Sequence, residues 1–592
     1  MRPQRDPARA SRLRPGRRPD PSRIADSKVG QFLTLLNASG VVAELDALLA
    51  GRPGPRGIPP RTALVALMLA AHHTGRAAVA DAWWILHFRL SPTARTWLGL
   101  PTHPPADAHA RIASSRRLYR AVDRITTALD PARCDRRRRL PRHEADAVAA
   151  VWDAPEHAAA VERLRALFNR LVLTPVRLAR RRGHLRGWHG TLGIDATSIP
   201  VMSRPAGMRS GLGSVEVTAG WHFSGGSDDG VFGYSAHLIV AAHRGRRTSV
   251  PYPQLCLGFT LDSPSRRVGA NAVARLEDLA QLDPPTDLIA VDRAYTGQHD
   301  TEFQIPARRM GHLLALDYKV AERGRQGSHR GSPLVDGVLA CPCMPEPLQT
   351  VTTGLDDDQV RVRGEELDAA VAARDPYWLH RKQGPDERGS IRYQCPAAGP
   401  SPSVNCSRRD RLHPPKGTPG PRPTTPIDLT DTRSRRAHPA ARPTVPITDA
   451  ERLDPPPPDH LPTICRQTTM TVHADEALPK YRQDLPYLGV SWLAAYKAAR
   501  SHTEGLNGRL KGQHFNIGDA LRRPMRGRVG HHLAVAVILM IANLAILDTW
   551  VEQNTGEPLP DTDDTHRSPV EADHATTLDL GRTTRPPPAA LE

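Results

Sequence analysis

The sequence predicts an α/β fold: a sheet-and-helix core interrupted by a long insertion and preceded by a mainly helical N-terminal region. Three observations predict it. Apolar residues recur at three- and four-residue spacing up to about residue 182. From Thr191 short β-type runs take over, bounded by Gly and Pro and mixed with helical stretches. Helical spacing then returns at about Ser491, after a stretch dense in turn residues.

Taken in order, residues 1–25 form a basic arm without an apolar run, read as disordered and not as a secretory signal. Residues 26–184 are helical, with "QFLTLLNASGVVAELDALLA" and "RTALVALMLAAHHTGRAAVADAWWIL" as the clearest segments and an arginine cluster, "RCDRRRRLPR", at 133–142. Helices flanked by arginines suit binding to DNA, and a plain helical bundle fits the pattern equally. The first part of the core covers 185–323. Its β-type runs are "TLGIDATSIPV" (191–201), "VFGYSAHLIVAAH" (231–243), "DLIAVDRAY" (287–295) and "HLLALDYKV" (312–320), with a helix over 270–282. Residues 324–480 read as a partly disordered insertion, with short strands at 359–363 and 467–473. The second, helical part of the core covers 481–555, and a polar Pro/Thr-rich tail covers 556–592.

The 592 residues suffice for several domains, and a formal net charge of +18 points to a polyanionic partner. Nucleic acid comes first and an acidic membrane surface second; arginine richness with no specific partner is the third reading. The apolar run "LAVAVILMIANLAIL" (533–547) is short for a membrane span and suits a buried helix, so no membrane partner is expected. Seven cysteines without a secretory signal do not form a disulfide framework, which predicts a reducing cytoplasm. No Gly-x-Ser-x-Gly elbow and no phosphate-cradling glycine loop occur, which argues against a serine hydrolase and an ATPase.

Three carboxylates stand out. Asp195 lies inside "LGIDATSI" and Asp292 ends "LIAVDRAY". An aspartate among Leu, Ile, Ala and Val is costly to bury without a cation or hydrogen bonds. Taken singly, each reads first as a strand-end aspartate capping a turn; taken together, they suit a hard divalent cation. The third is in "RSHTEGLNGRLKGQ" (500–513). On a helix at 100° per residue, Tyr496, Arg500, Glu504, Asn507 and Lys511 form one polar stripe about 80° wide. Such a narrow stripe suits a polar cleft better than a solvated face, although Gly505 and Gly508 predict a bend near Glu504. Two aspartates and a glutamate can hold two metal ions for in-line displacement at phosphorus, with Arg500 and Lys511 gripping flanking phosphates. Tyr295 and His299, just beyond Asp292, read as satisfied loop residues or as lining of the same cleft.

These motifs resemble those of the DDE transposases of bacterial insertion sequences, in the group with the signature Tyr-x2-Arg-x3-Glu-x6-Lys. The chain reads Arg500-x3-Glu504-x6-Lys511; Tyr496 lies one residue further upstream than the signature has it, with Lys497 at the expected place. "GIDATSIPV" and "VDRAYTG" resemble the first and second aspartate motifs, and "GHLLALDYKV" also resembles the family. The likeness covers about 185–550. It implies an RNase H-like core with the aspartates on adjacent strands, the glutamate on a later helix, and an insertion between the second aspartate and the glutamate. It also implies Asp195, Asp292 and Glu504 as catalytic metal ligands and Arg500, Lys511, Tyr496 and Asn507 as DNA-binding residues. Two Mg²⁺ or Mn²⁺ ions, double-stranded DNA (element ends and target) and a dimer on DNA complete the expectation. A catalytically inactive DNA-binding relative and a stand-alone metal-dependent nuclease are the alternatives.

Five cysteines fall in the insertion: Cys341, Cys343, Cys395, Cys406 and Cys465. They read first as reduced thiols. A structural Zn²⁺ site, with His380 or His413 as substitutes, is the alternative, because such an ion would staple a poorly packed segment.

Overall fold

The computed structural model describes residues 23–51, 57–134, 137–205, 210–223, 230–245, 250–413, 445–446 and 461–555. The basic arm up to residue 22, the tail from 556 and the proline-rich middle of the insertion lie outside the described residues. The chain divides into two compact units. One comprises 1–175, 202–217 and 512–592; the other comprises 176–201 and 218–511.

The second unit is α/β, built on a six-stranded mixed sheet. Its strands are β1 (Leu192–Pro200), β2 (Gly220–His222), β3 (Val231–Ala241), β4 (Cys256–Asp262), β5 (Leu288–Val291) and β6 (Leu313–Leu316). β1 is central: it pairs antiparallel with β3 and parallel with β5, and β6 continues parallel beyond β5. β2 and β4 both pair antiparallel with β3. β4, β5 and β6 are buried at every position, which is why they read as unbroken apolar runs and not as alternating ones. Helix α1 (Val268–Ala280) packs on β3 and β4. Helix α2 (Val490–Lys511) packs on β1, β3, β5 and β6. The approach to β1 is close: a Cβ on Gly193 would lie 2.7 Å from the Thr503 methyl and 3.0 Å from the Ala499 carbonyl oxygen. Only glycine fits two residues before Asp195.

The described parts of the insertion are folded. Two small antiparallel sheets form, one from Arg325–His329, Ser332–Val335 and Val338–Leu339, the other from His380–Gln383, Ile391–Gln394 and Thr469–Val472. The expected strand near 467–473 is present. The expected strand at 359–363 is instead part of the helix Asp357–Ala372. "QVRVR" alternates like a strand, but Asp356 accepts from the Gln359 amide and Gln359 returns the bond, so a capping box starts a helix there. A buried ion pair anchors this region: Arg374 Nη1 donates to Asp336 Oδ2 at 2.6 Å, and both side chains are 0% exposed. Thr352 and the Gly324 amide donate to the same carboxylate.

The first unit is helical. Pro60–Thr74 and Gly527–Thr555 are its most buried helices and pack against each other. Pro60–Thr74 ends at Gly75, whose φ of +66° is a left-handed conformation and where a Cβ would strike the His514 carbonyl. Gly527–Thr555 starts where buried Glu216 accepts its first amide at 2.9 Å, placing a carboxylate at the positive helix end. By length and composition this helix could cross a membrane, yet most of its apolar stretch is buried within the protein. Asn543, midway along it, donates to the Val172 carbonyl, and Arg528 stacks 4.5 Å over Trp152.

Candidate active site

The β1–β5 register ends with Ile194 opposite Val291, so Asp195 and Asp292 are the next residues on adjacent parallel strands. Asp292 also caps the short helix Arg293–Thr296, accepting from the Ala294 amide at 3.0 Å. Glu504 comes from α2, whose buried line of Ala495, Ala499, Thr503, Leu506 and Leu510 seats it on the sheet. The helix runs unbroken from Val490 to Lys511, in place of the expected bend. Gly505 and Gly508 lie on its exposed side, while the buried line holds the helix in register.

The three carboxylates meet on one cation. Arg500 Nη1 lies 3.4 Å from Asp195 Oδ1 and 3.8 Å from Asp292 Oδ2, and its Nη2 lies 3.3 Å from Glu504 Oε1. Asn507 Nδ2 donates to the other Asp195 oxygen at 2.9 Å. Four of the five predicted stripe residues therefore act in or beside one cluster: Arg500, Glu504 and Asn507 directly, and Tyr496 from the next turn. Tyr496 stacks on Trp492 with ring centres 4.4 Å apart, and burial pushes its hydroxyl pKa up. Lys511 lies at the far end of α2, where its charge bears on His222 of β2.

Burial raises the pKa of Asp195; the Arg500 charge opposes this, and Asp292 and Glu504 reinforce it. Burial likewise raises Asp292, against Arg500. Arg500 is partly buried, which disfavours its charge, but Asp195, Tyr496, Asp292 and Glu504 together hold its pKa above the ordinary value. The site is acidic and partly exposed, and the Arg500 charge opposes the upward shift of both aspartates. Glu504 is the open edge, with 63% of its side chain exposed against 13% for Asp195.

This donor set of carboxylate oxygens fits a hard divalent ion. In the present arrangement the guanidinium compensates the charge, and among the described residues no group of three His, Cys, Asp or Glu is gathered closely enough to hold a metal ion.

Sequence reasoning missed Asp317. It follows β6, and since Val291 pairs with Leu316, it stands one step from Asp292 across the strands. Arg293 Nε lies 3.0 Å from Asp317 Oδ2 and its Nη2 donates to Asp357 at 2.8 Å, while the Tyr487 hydroxyl donates to Asp317 at 3.1 Å. Burial raises the Asp317 pKa despite Arg293. The signal was present: "LLALD" ends a buried run in the same way as "LIAVD". Tyr295 is a core residue whose hydroxyl pairs with His237 Nδ1 at 2.9 Å, and His299 is exposed in the following loop.

The helical unit contributes basic surface. Its helix Ala108–Leu129 exposes Arg116, Arg117 and Arg120 beside Tyr119. A cavity of about 750 Å³ next to it is lined in part by Trp83, His87, Arg117, Arg120 and Arg124.

Comparisons with protein families, curated proteins and solved structures return no match.

Proposed function

We propose that this protein is a DDE-type DNA transposase with an RNase H-like core, performing metal-dependent cleavage and strand transfer at phosphorus. The observation that supports this reading most is the convergence of Asp195, Asp292 and Glu504 on one guanidinium, from two adjacent strands and a helix more than 200 residues later. A lone strand-end aspartate needs no such partners. The exposed arginines Arg116, Arg117 and Arg120 of the helix Ala108–Leu129 and the net charge of +18 support a DNA partner.

Asp195, Asp292 and Glu504 would hold Mg²⁺ or Mn²⁺, which when bound supplies Lewis acidity to the attacking hydroxyl or water and to the leaving 3′-oxygen. The chain's own residues do the rest. Asn507 pins one oxygen of Asp195 and so fixes the direction of the other. Arg500 offers a planar fork for a phosphate oxygen pair once its carboxylate partners are otherwise neutralised. Lys511 offers a point charge to a phosphate further along the strand. Tyr496, stacked on Trp492, lies one helical turn before Arg500 on the same face of α2.

A second reading, an inactive DNA-binding relative, draws on the shifted tyrosine and on Arg500 filling the centre of the cluster. One experiment separates the two: DNA carrying the flanking ends of the encoding element is incubated with Mg²⁺ or Mn²⁺ and either wild type or Glu504→Gln. The transposase reading expects nicking at the ends by wild type and a loss of about 100-fold or more in the variant, with DNA binding retained. Binding without cleavage by either protein favours the inactive relative. Equal cleavage by both removes Glu504 from the chemistry.

A further inference from the structure

Five cysteines from four separate stretches of the insertion come together in the fold. Cys341 and Cys343 flank Pro342 in a turn closed by the Met344 amide on the Cys341 carbonyl at 2.9 Å. Cys395 follows the strand Ile391–Gln394, its amide held by the Thr468 carbonyl at 2.8 Å. Cys406 precedes the helix Ser407–Leu412, and Cys465 lies in the helix Thr463–Gln467. All five are buried and none is in a disulfide.

Their mutual placement is specific. Cys343 hydrogen-bonds Cys341, and both lie within electrostatic reach of Cys395. Cys465 is within reach of Cys343 and of Cys395, and Cys406 is within reach of Cys395. Two of the sulfurs also accept backbone amides from a residue two positions on: Cys341 from Cys343, and Cys395 from Ala397. Each of these Cys-Pro turns aims an N–H at sulfur, an arrangement that favours the thiolate. Arg408 adds a side-chain donor to Cys465. Buried thiols filling a core need no such donors, because a thiol sulfur accepts only weakly.

We propose that Cys341, Cys343, Cys395 and Cys465 form a tetrahedral structural site for one Zn²⁺ ion, with Cys406 a neighbour of Cys395 and not a ligand. The four sulfurs belong to the chain segments on both sides of residues 414–460, so one ion would tie the two ends of that stretch to the Cys-Pro-Cys turn. No three of the sulfurs are gathered as tightly as a bound ion would hold them, so capture of the ion draws them together. Four thiols become four thiolates on binding and release four protons to solvent. The inference does not depend on the carboxylate site or on the proposed activity.

The test is the zinc content of full-length protein purified under reducing conditions from zinc-supplemented medium. One zinc per chain is expected, and Co²⁺ exchange should give the visible bands of a tetrahedral thiolate site. Cys343→Ser and Cys395→Ser should fall to background, while Cys134→Ser, Cys406→Ser and the Asp195→Asn/Glu504→Gln double variant keep the ion. If the serine variants do not fold, titration of wild type with a mercurial reagent reads the same property, with zinc released as four thiols react. Metal-free protein that takes up no added Zn²⁺ would overturn the proposal. So would zinc retained in both Cys343→Ser and Cys395→Ser, zinc lost in Cys406→Ser, or zinc lost only in the carboxylate variant.

Discussion

Asp195 shows what the site costs the fold. Burial raises its pKa, so the native state binds a proton more tightly than the unfolded chain between the ordinary aspartate value and the raised one. That contribution to stability is present at low pH and is lost as pH rises through the folded pKa. Asp195→Asn removes the loss, so without added divalent ion its Tm advantage over wild type should be small near pH 4 and grow toward pH 7. Scanning calorimetry across that range checks the sign; an advantage that shrinks with rising pH contradicts it. Asp195, Asp292 and Glu504 were all legible, because each sits in a pattern that sequence alone displays: two buried β-type runs and one helical stripe. Arg500 as the hub was not, since its three partners come from residues 195, 292 and 504 and only the register of β1 against β5 and the seating of α2 unite them. Asp317 escaped for a different reason. Its local pattern matches that of Asp292, but its partners, Arg293 and Tyr487, are visible only once β5 and β6 are paired.

Among the elements, those of the sheet were readable because fully buried strands are continuous apolar runs and glycine or proline marks their ends. The insertion was harder to read. Its two sheets are short, and "QVRVR" carries a strand's alternation inside a helix that Asp356 and Gln359 start. What orders the described part is polar: Asp336 and Arg374, wholly buried, with Thr352 and the Gly324 amide completing the carboxylate's bonds. Such a pair is weak evidence of net stabilisation, yet breaking one side leaves a buried charge. Arg374→Met should therefore destabilise the protein by about 3–5 kcal/mol, and Arg374→Met/Asp336→Leu by clearly less. Urea unfolding of the two variants measures the difference; equal losses would show that the ion pair has no role beyond its packing.

At the scale of the molecule, a helical unit with exposed arginines and an α/β unit with an acidic cluster occupy one chain. The charge balance, the helical texture before residue 184 and the return of helix after 490 were all readable from composition and period. The division into units was not, because the described residues within 202–217 and from 512 to 555 join the N-terminal helices across the sequence. Buried Glu216 at the start of Gly527–Thr555 is one such long-range tie, and nothing near residue 216 announces it. In the proposed function the cluster of Asp195, Asp292 and Glu504 ligates the metal used in DNA cleavage. It is tested most directly by replacing an oxygen ligand with sulfur in the full-length protein and comparing cleavage with Mg²⁺ and Mn²⁺. A thiolate disfavours hard Mg²⁺ and tolerates Mn²⁺ better. Asp292→Cys should cut element-end DNA with Mn²⁺ and lose cleavage with Mg²⁺, while wild type uses both. Cleavage by Asp292→Cys at the wild-type rate with Mg²⁺ would contradict that role.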